Sequence, residues 1–251
     1  NQNEDFASQF RVLTGQNSVN LGMAANGPLL ELASLKEYSL NKKLSSVLWF
    51  YFERNDLNDL KIEKTNSILI KYLEENFSQN LQLKQIEIDK KLKNFIEILE
   101  KNFKENNFSN KQSNDKFLPF KKIIRLQIVR DKTSLDRGLD FGIDKTFEQI
   151  LKIANNFVKR KDGRLYFVYL PDKERYTSSN IQNENYHKRS EVLKIINKLD
   201  IPIIDIHKDF FLKEKDPLDY FAYRIYGHYS AKGYHEISKV ILEKLNEKWK
   251  K

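Results

Sequence analysis

Three short stretches of the sequence carry residue types that could act together on a carbonyl group. His228 stands in GHYSAKGY, directly before a C-terminal helical pattern. Asn55 stands in ERND, and the small residues of NLGMAANGP, Asn20 to Pro28, lead into another helical pattern. Histidine can serve as a general base, whereas a side-chain amide and backbone N–H groups can hold an oxyanion. The residue types therefore predict acyl chemistry, provided that the fold brings the three stretches together.

The elements that must position these residues follow from the hydrophobic pattern. Nearly continuous apolar runs predict buried parallel strands, and segments with apolar residues at helical spacing lie between them. The strands are expected at Val47–Phe52, Leu165–Leu170 and Ile201–Ile206, with a shorter one at Ser18–Leu21, and the helices at 5–13, 28–40, 144–160, 186–199 and 234–248. This alternation predicts an α/β fold with an open, mostly parallel sheet and helices on both faces. A site in such a sheet lies beyond the carboxyl ends of the strands, where Asn55 follows the first long run.

Residues 57–140 interrupt the alternation. They are rich in Lys, Glu and Asn, with apolar residues at helical intervals and a break at KENNFSNKQSND. We therefore expect one domain over residues 1–251 that carries a helical insertion at 57–140. The insertion could pack on the sheet, cover the site or form a surface for homo-oligomerisation.

Composition narrows the class of protein. The chain has no cysteine, which excludes a disulfide framework and a thiolate nucleophile or metal ligand. No apolar run has the length of a membrane span, and the first ten residues lack the features of a signal peptide. The net charge of +9 is dispersed among acidic residues, so no specific nucleic-acid partner is predicted. These features fit a cytoplasmic or a cell-envelope protein, with any N-terminal signal or anchor lying before residue 1.

Taken in order, the three stretches resemble conserved blocks of the SGNH (GDSL-type) hydrolase family. NLGMAANGP is similar to its Gly block, ERND to its Asn block and GHYSAKGY to its His block. The resemblance implies a three-layer α/β/α, flavodoxin-like fold and an esterase that cleaves an ester or thioester through an acyl-enzyme. It also implies that the Ala25 N–H and Asn55 form the oxyanion hole, that His228 is the base, and that no cofactor or metal takes part. An O-acyltransferase of the same fold is the related alternative.

The sequence departs from the family pattern in two respects besides Ala25, which stands where the family has its oxyanion glycine. Ser8 lies only 14 positions before Gly22, too close for the nucleophile, because the intervening crossover alone needs about 10–12 residues. We therefore expect the serine upstream of residue 1 and expect residues 1–251 alone to be inactive.

The second departure concerns the acidic partner of the histidine. Ile225 occupies the family's acidic position three residues before His228. Asp216 is favoured as the substitute, with Asp219, Asp205 or a backbone carbonyl as alternatives. Two alternative functions remain: a binding module that has lost its nucleophile, and a basic interaction protein.

Overall fold

A computed structural model describes residues 4–23, 25–39, 42–107, 142–177 and 180–249. The chain divides into two compact units, the first formed by Asn1–Phe77 with Ile143–Lys251 and the second by Ser78–Gly142. The residues of interest, from Asn20 to His228, lie in the first unit. Only the first part of the expected insertion, up to Phe77, therefore folds with the sheet.

Three parallel strands form the sheet of the first unit. They are β1 (Ser46–Phe52), β2 (Arg164–Leu170) and β3 (Ile203–Asp205), in the order β1-β2-β3. Phe50 pairs with Val168, and Val168 pairs with Ile204. The predicted parallel α/β arrangement is therefore confirmed at this level. The strand predicted at Ser18–Leu21 is wrong, because this segment pairs with no described strand. Val19 is 65% exposed, so no burial of its side chain stabilises a strand here.

Helices connect and flank the strands. The helices are α1 (Phe6–Thr14), α2 (Pro28–Tyr38), α3 (Asp56–Glu63), α4 (Ser67–Ile70), α5 (Gln85–Asn107), α6 (Lys145–Lys159), α7 (Glu174–Thr177), α8 (Arg189–Lys198), α9 (Ile206–Asp209) and α10 (Ala231–Trp249). Short 3-10 turns lie at Lys71–Leu73, Tyr186–Lys188, Phe211–Lys213, Pro217–Tyr220 and Ala222–Arg224. The start of α2 at Pro28 fits the residue type, since proline is preorganised for the first turn. No helix in the described part of the chain combines the length and hydrophobicity that crossing a membrane requires.

Alternate side chains of the strands pack against different sets of helices. Trp49, Tyr51 and Phe167 join a core with residues of α2, α6 and α8. Phe50 and Val168 join a second core with residues of α1 and α10. Each fully buried aromatic or aliphatic side chain contributes about 1.5–3 kcal/mol through removal from water. The alternation therefore fixes the register of the sheet. Because the strands are parallel, the residues that follow them lie along the same edge of the sheet.

The second unit contains α5. Its charged residues alternate with apolar residues that remain exposed, including Leu92, Phe95 and Ile98. Much of the predicted break at KENNFSNKQSND, from residue 108 onward, lies outside the described residues.

Candidate functional site

A buried ion pair lies at the carboxyl ends of β1 and β2. Glu53 and Arg175 are both fully buried at the side chain, and Arg175 Nη2 lies 2.6 Å from Glu53 Oε2. The other carboxylate oxygen of Glu53 accepts a hydrogen bond from the backbone N–H of Asp172 at 2.7 Å, and Tyr169 donates its hydroxyl to Glu53. Charge and hydrogen bonds together compensate for the lost hydration of the pair. The two strand ends are thereby fixed relative to each other.

Arg175 also holds the loop that follows α7. Its Nη1 donates to the carbonyl oxygens of Asn180 at 3.3 Å and Asn183 at 3.0 Å, and its Nη2 donates to that of Tyr186 at 3.3 Å. One side chain therefore connects the sheet edge to three backbone positions of this loop. Each of these carbonyl groups also accepts a backbone N–H from a nearby residue, so Arg175 adds a second bond to the turns of this loop.

Asn55 lies directly after β1, at the start of α3. Its Nδ2 donates to Asp59 Oδ2 at 2.6 Å, and its carbonyl accepts the N–H groups of Asn58 and Asp59. The side chain is half-buried. An amide nitrogen carries two hydrogens, so one N–H of Asn55 remains for a ligand after the bond to Asp59.

The loop that contains Ala25 packs against α3. Gly27 donates its N–H to Glu63 at 2.6 Å, and a Cβ at this glycine would lie only 2.7 Å from the Cβ of Asp59. Ala25 is exposed, with a φ of +71°. The sequence leaves open whether φ is negative or positive at this position, and the positive value carries the strain of a left-handed L-residue. Through Gly27 and Asp59, the segments that carry Ala25 and Asn55 are neighbours.

Four carboxyl groups are crowded beside this loop. Burial is the main cause that raises the pKa of Glu31 and Asp56 well above the usual range, and their acidic neighbours raise it further. Burial also raises the pKa of Glu63, against the backbone N–H bonds that it accepts from Gly27 and Leu29. Asp59, 2% exposed, completes the cluster. Among the described residues no such group has an arrangement that could hold a metal ion. The raised pKa values keep protons on Glu31, Asp56 and Glu63 to a higher pH than on exposed carboxyl groups.

His228 lies in a loop that is closed at its base. Phe221 and Tyr229 form an isolated antiparallel bridge, and the N–H of Ala222 donates to the His228 carbonyl at 2.8 Å. Tyr229 is buried and donates its hydroxyl to the Pro171 carbonyl at 2.6 Å, just beyond β2. The His228 side chain is exposed, and its imidazole forms no hydrogen bond within the part of the chain that the structure describes.

The three carboxylates considered for His228 have other cationic partners. Asp216 lies 2.8 Å from Arg224 Nη2, and Asp219 pairs with the same guanidinium. Asp205 pairs with Arg189 and accepts the N–H of Lys208 at 3.3 Å. The pairing of Asp216 with His228 stays a prediction, and no contact between the two side chains supports it.

Asp172 also lies at this edge of the sheet, and it was not among the residues predicted from the sequence. Its side chain is fully buried, and neither carboxylate oxygen accepts a hydrogen bond from a described residue. Arg54 Nη1 lies 3.7 Å from Oδ1, and a Cβ at Gly227 would lie 3.7 Å from the same oxygen. The strand-end rule that pointed to Asn55 could have found Asp172, which follows LYFVYLP at the end of β2.

The remaining histidines either contact other side chains or lie where the protein lowers the pKa of the imidazole. His207 Nδ1 lies 2.8 Å from the Tyr176 hydroxyl, and burial, helped by Arg175, lowers the pKa of His207 to about 3. His235 Nδ1 lies 2.8 Å from Gln9 Oε1, where α10 meets α1. Burial also lowers the pKa of His187.

Comparison with known proteins does not add to this geometry. No family model, curated protein or solved structure matches the chain. The assignment of a function therefore depends on the residues at the carboxyl edge of the sheet.

Proposed function

We propose that the chain is part of a serine esterase of the SGNH type, with its nucleophile encoded before residue 1. In this assignment the three-stranded sheet belongs to a three-layer, flavodoxin-like α/β/α domain. The substrate is an acyl ester or thioester, and the acceptor is water or, in an acyltransferase, an alcohol. The reaction needs no metal or cofactor.

One contact carries the proposal. Arg54 lies next to Asn55 in the sequence, and Gly227 lies next to His228. Arg54 Nη1 is 3.6 Å from the position that a Cβ would take at Gly227. The Arg54 side chain therefore reaches from the segment that carries Asn55 to the loop that carries His228, although 172 residues separate Asn55 and His228 in sequence. This proximity is what an oxyanion donor and a general base need in order to act on one carbonyl group.

The proton follows a defined route in the proposed reaction. The serine hydroxyl oxygen forms a bond to the carbonyl carbon, while His228 takes the hydroxyl proton. When the tetrahedral intermediate collapses, the bond to the leaving alcohol or thiol breaks and His228 gives the proton to that group. Water or an acceptor alcohol then repeats the two steps on the acyl-enzyme and frees the serine.

Negative charge on the former carbonyl oxygen requires donors that are already in place. The free N–H of the Asn55 amide and the Ala25 backbone N–H are the proposed pair. Removal of one such donor costs about 3–4 kcal/mol of transition-state stabilisation. The bond between Asn55 and Asp59 holds the amide in one orientation, so little reorganisation is needed during the reaction.

A fluorophosphonate probe tests the proposal in the natural full-length protein, because it labels activated serines whatever acyl group the enzyme prefers. We expect labelling of the protein, with His228→Ala reducing the rate by at least 10³-fold and Asn55→Ala by about 10². His235→Ala and Asn58→Ala are matched controls, since His235 contacts Gln9 and Asn58 is an exposed neighbour of Asn55. Both controls should label like the wild type.

Two results would overturn the proposal. One is a folded full-length protein that the probe does not label, which would favour a binding module. The other is labelling that His228→Ala leaves unchanged. Where labelling occurs, p-nitrophenyl acetate with and without an acceptor alcohol separates hydrolysis from acyl transfer.

A further inference from the structure

We infer that Asp172 is the carboxylate that orients His228, in the place for which the sequence pattern favours Asp216. Asp172 is then a positioning residue, because it acts on the substrate only through the imidazole. The inference rests on the proposed function, since His228 acts as a base only in that reaction.

Asp172 lacks the hydrogen bonds that a buried carboxylate needs. Both oxygens are buried and neither has a hydrogen-bond partner in the described residues, although a carboxylate offers about four acceptor sites. The backbone N–H of Asp172 is already used by Glu53, and the N–H of Lys173 faces the carboxylate outside hydrogen-bond geometry. A buried carboxylate without hydrogen bonds lowers the stability of the fold, so a missing donor is expected nearby.

The charges around Asp172 leave it short of positive charge. Burial raises its pKa, and the Arg54 guanidinium is the cation that counteracts this effect. Arg54 is about half exposed and also lies 3.3 Å from Glu174. Glu53 and Glu174 add negative charge near Asp172. The charge of Asp172 in turn helps to raise the pKa of the Tyr186 and Tyr229 hydroxyls. An imidazolium beside Asp172 would supply what this group of residues lacks.

His228 is the available donor on the neighbouring segment. Its imidazole has no hydrogen-bond partner among the described residues, and Gly227, the residue before it, lies against Asp172. The Tyr229 side chain, on the other side of His228, reaches Pro171, the residue before Asp172. The loop therefore lies beside the end of β2. For the proposed pairing, the exposed His228 side chain has to turn toward Asp172.

The other carboxylates are poorer candidates for the same role. Asp216 and Asp219 share Arg224, and Asp205 is held by Arg189. Asp216 and Asp219 are also about half exposed, where water weakens their interaction with an imidazolium. A buried carboxylate orients an imidazole and stabilises its cation more strongly than an exposed one.

NMR of the His228 ring nitrogens in the full-length protein tests this inference without requiring catalysis, and His228→Ala assigns the signals. We expect Asp172→Asn to move the Nδ1 resonance and to lower kcat with little change in KM, because the imidazole loses the carboxylate that orients it. Asp216→Asn is the matched control and should leave the Nδ1 resonance at its wild-type position.

A second variant covers the case in which Asp172→Asn does not fold. His228→Gln changes an exposed side chain, and the carboxyl carbon of Asp172 should then titrate at higher pH than in the wild type. An unchanged Nδ1 resonance of His228 in Asp172→Asn, an unchanged Asp172 titration in His228→Gln, or a larger change of that resonance in Asp216→Asn would overturn the inference. Failure of the fluorophosphonate labelling would instead overturn the proposed function, so the two failures are distinguishable.

Discussion

At the scale of single residues, Ala25 holds a backbone conformation that suits glycine. Its φ is +71° and its side chain is exposed, so no packing contact offsets the strain. The left-handed region costs an L-residue about 1–2 kcal/mol. The loop between Asn20 and Pro28 nevertheless keeps this conformation, because Gly27 and the start of α2 are fixed against Glu63.

Replacement of Ala25 by glycine should therefore raise the free energy of unfolding. We expect a gain of about 0.5–1 kcal/mol, since relief of the strain exceeds the extra entropy of glycine in the unfolded chain. Urea denaturation measures the change. Ala154→Gly, in the interior of α6, is the control and should lower stability by about 1 kcal/mol or more. A loss of stability in Ala25→Gly would show that the positive φ is not strained.

Candidate site residues could be predicted only where they follow a recognisable strand. Asn55 and Asp205 stand directly after apolar runs, and the structure places both at strand ends. The nearness of Gly227 to Asp172 could not be predicted, because it depends on how the loop from Phe221 to Tyr229 closes. Local pattern carries no information on such contacts between distant segments.

At the scale of elements, the long strands were the most predictable feature. The apolar runs predict β1 and β2 to within one residue at each end, since nearly every residue of the two strands is apolar. β3 is shorter than the run from Ile201, because Pro202 has no N–H for the ladder and contributes only its carbonyl, to Phe167. The segment at Ser18–Leu21 had strand-like residue types but lacks a strand neighbour in the described structure.

The Glu53–Arg175 pair should govern how firmly the strand ends and the adjoining loop hold together. Arg175→Met removes the cation and leaves Glu53 buried and uncompensated, so we expect a loss of about 3–5 kcal/mol in the free energy of unfolding. Chemical denaturation measures it. Lys198→Met provides the comparison: it breaks a pair with Glu148 in which the lysine is largely exposed, and it should cost less than about 1 kcal/mol. Equal losses in the two variants would contradict the assignment of Arg175 as the central contact.

At the scale of the whole molecule, the carboxyl cluster beside α2 makes stability depend on pH. The folded state raises the pKa of Glu31, Asp56 and Glu63, whereas the unfolded chain keeps their ordinary values of about 4. Between those values and the raised ones, the folded state binds more protons than the unfolded state. Stability is therefore highest below the unfolded pKa and is lost as pH rises through the folded values.

Neutralisation of one member of this cluster should flatten that dependence. We expect Asp56→Asn to unfold at a higher temperature than the wild type at pH 7 and to show a smaller change between pH 5 and pH 7. Asp200→Asn, at an exposed carboxyl, is the control and should keep the wild-type slope. Thermal unfolding followed by circular dichroism measures both. A steeper slope in Asp56→Asn would mean that its carboxylate is ionised and stabilising in the folded state.

The same cluster makes folding a reaction that consumes hydrogen ions at pH values between the unfolded and the folded pKa of its carboxyl groups. The newly folded chain takes them from the buffer, whose own ionisation heat then enters any calorimetric measurement. Enthalpies of unfolding recorded at one pH in phosphate and in Tris should consequently differ, and the difference divided by the gap in buffer ionisation enthalpy counts the ions exchanged. Glu31, Asp56 and Glu63, crowded beside one loop, thus make the number of hydrogen ions taken up a measurable property of the folding reaction.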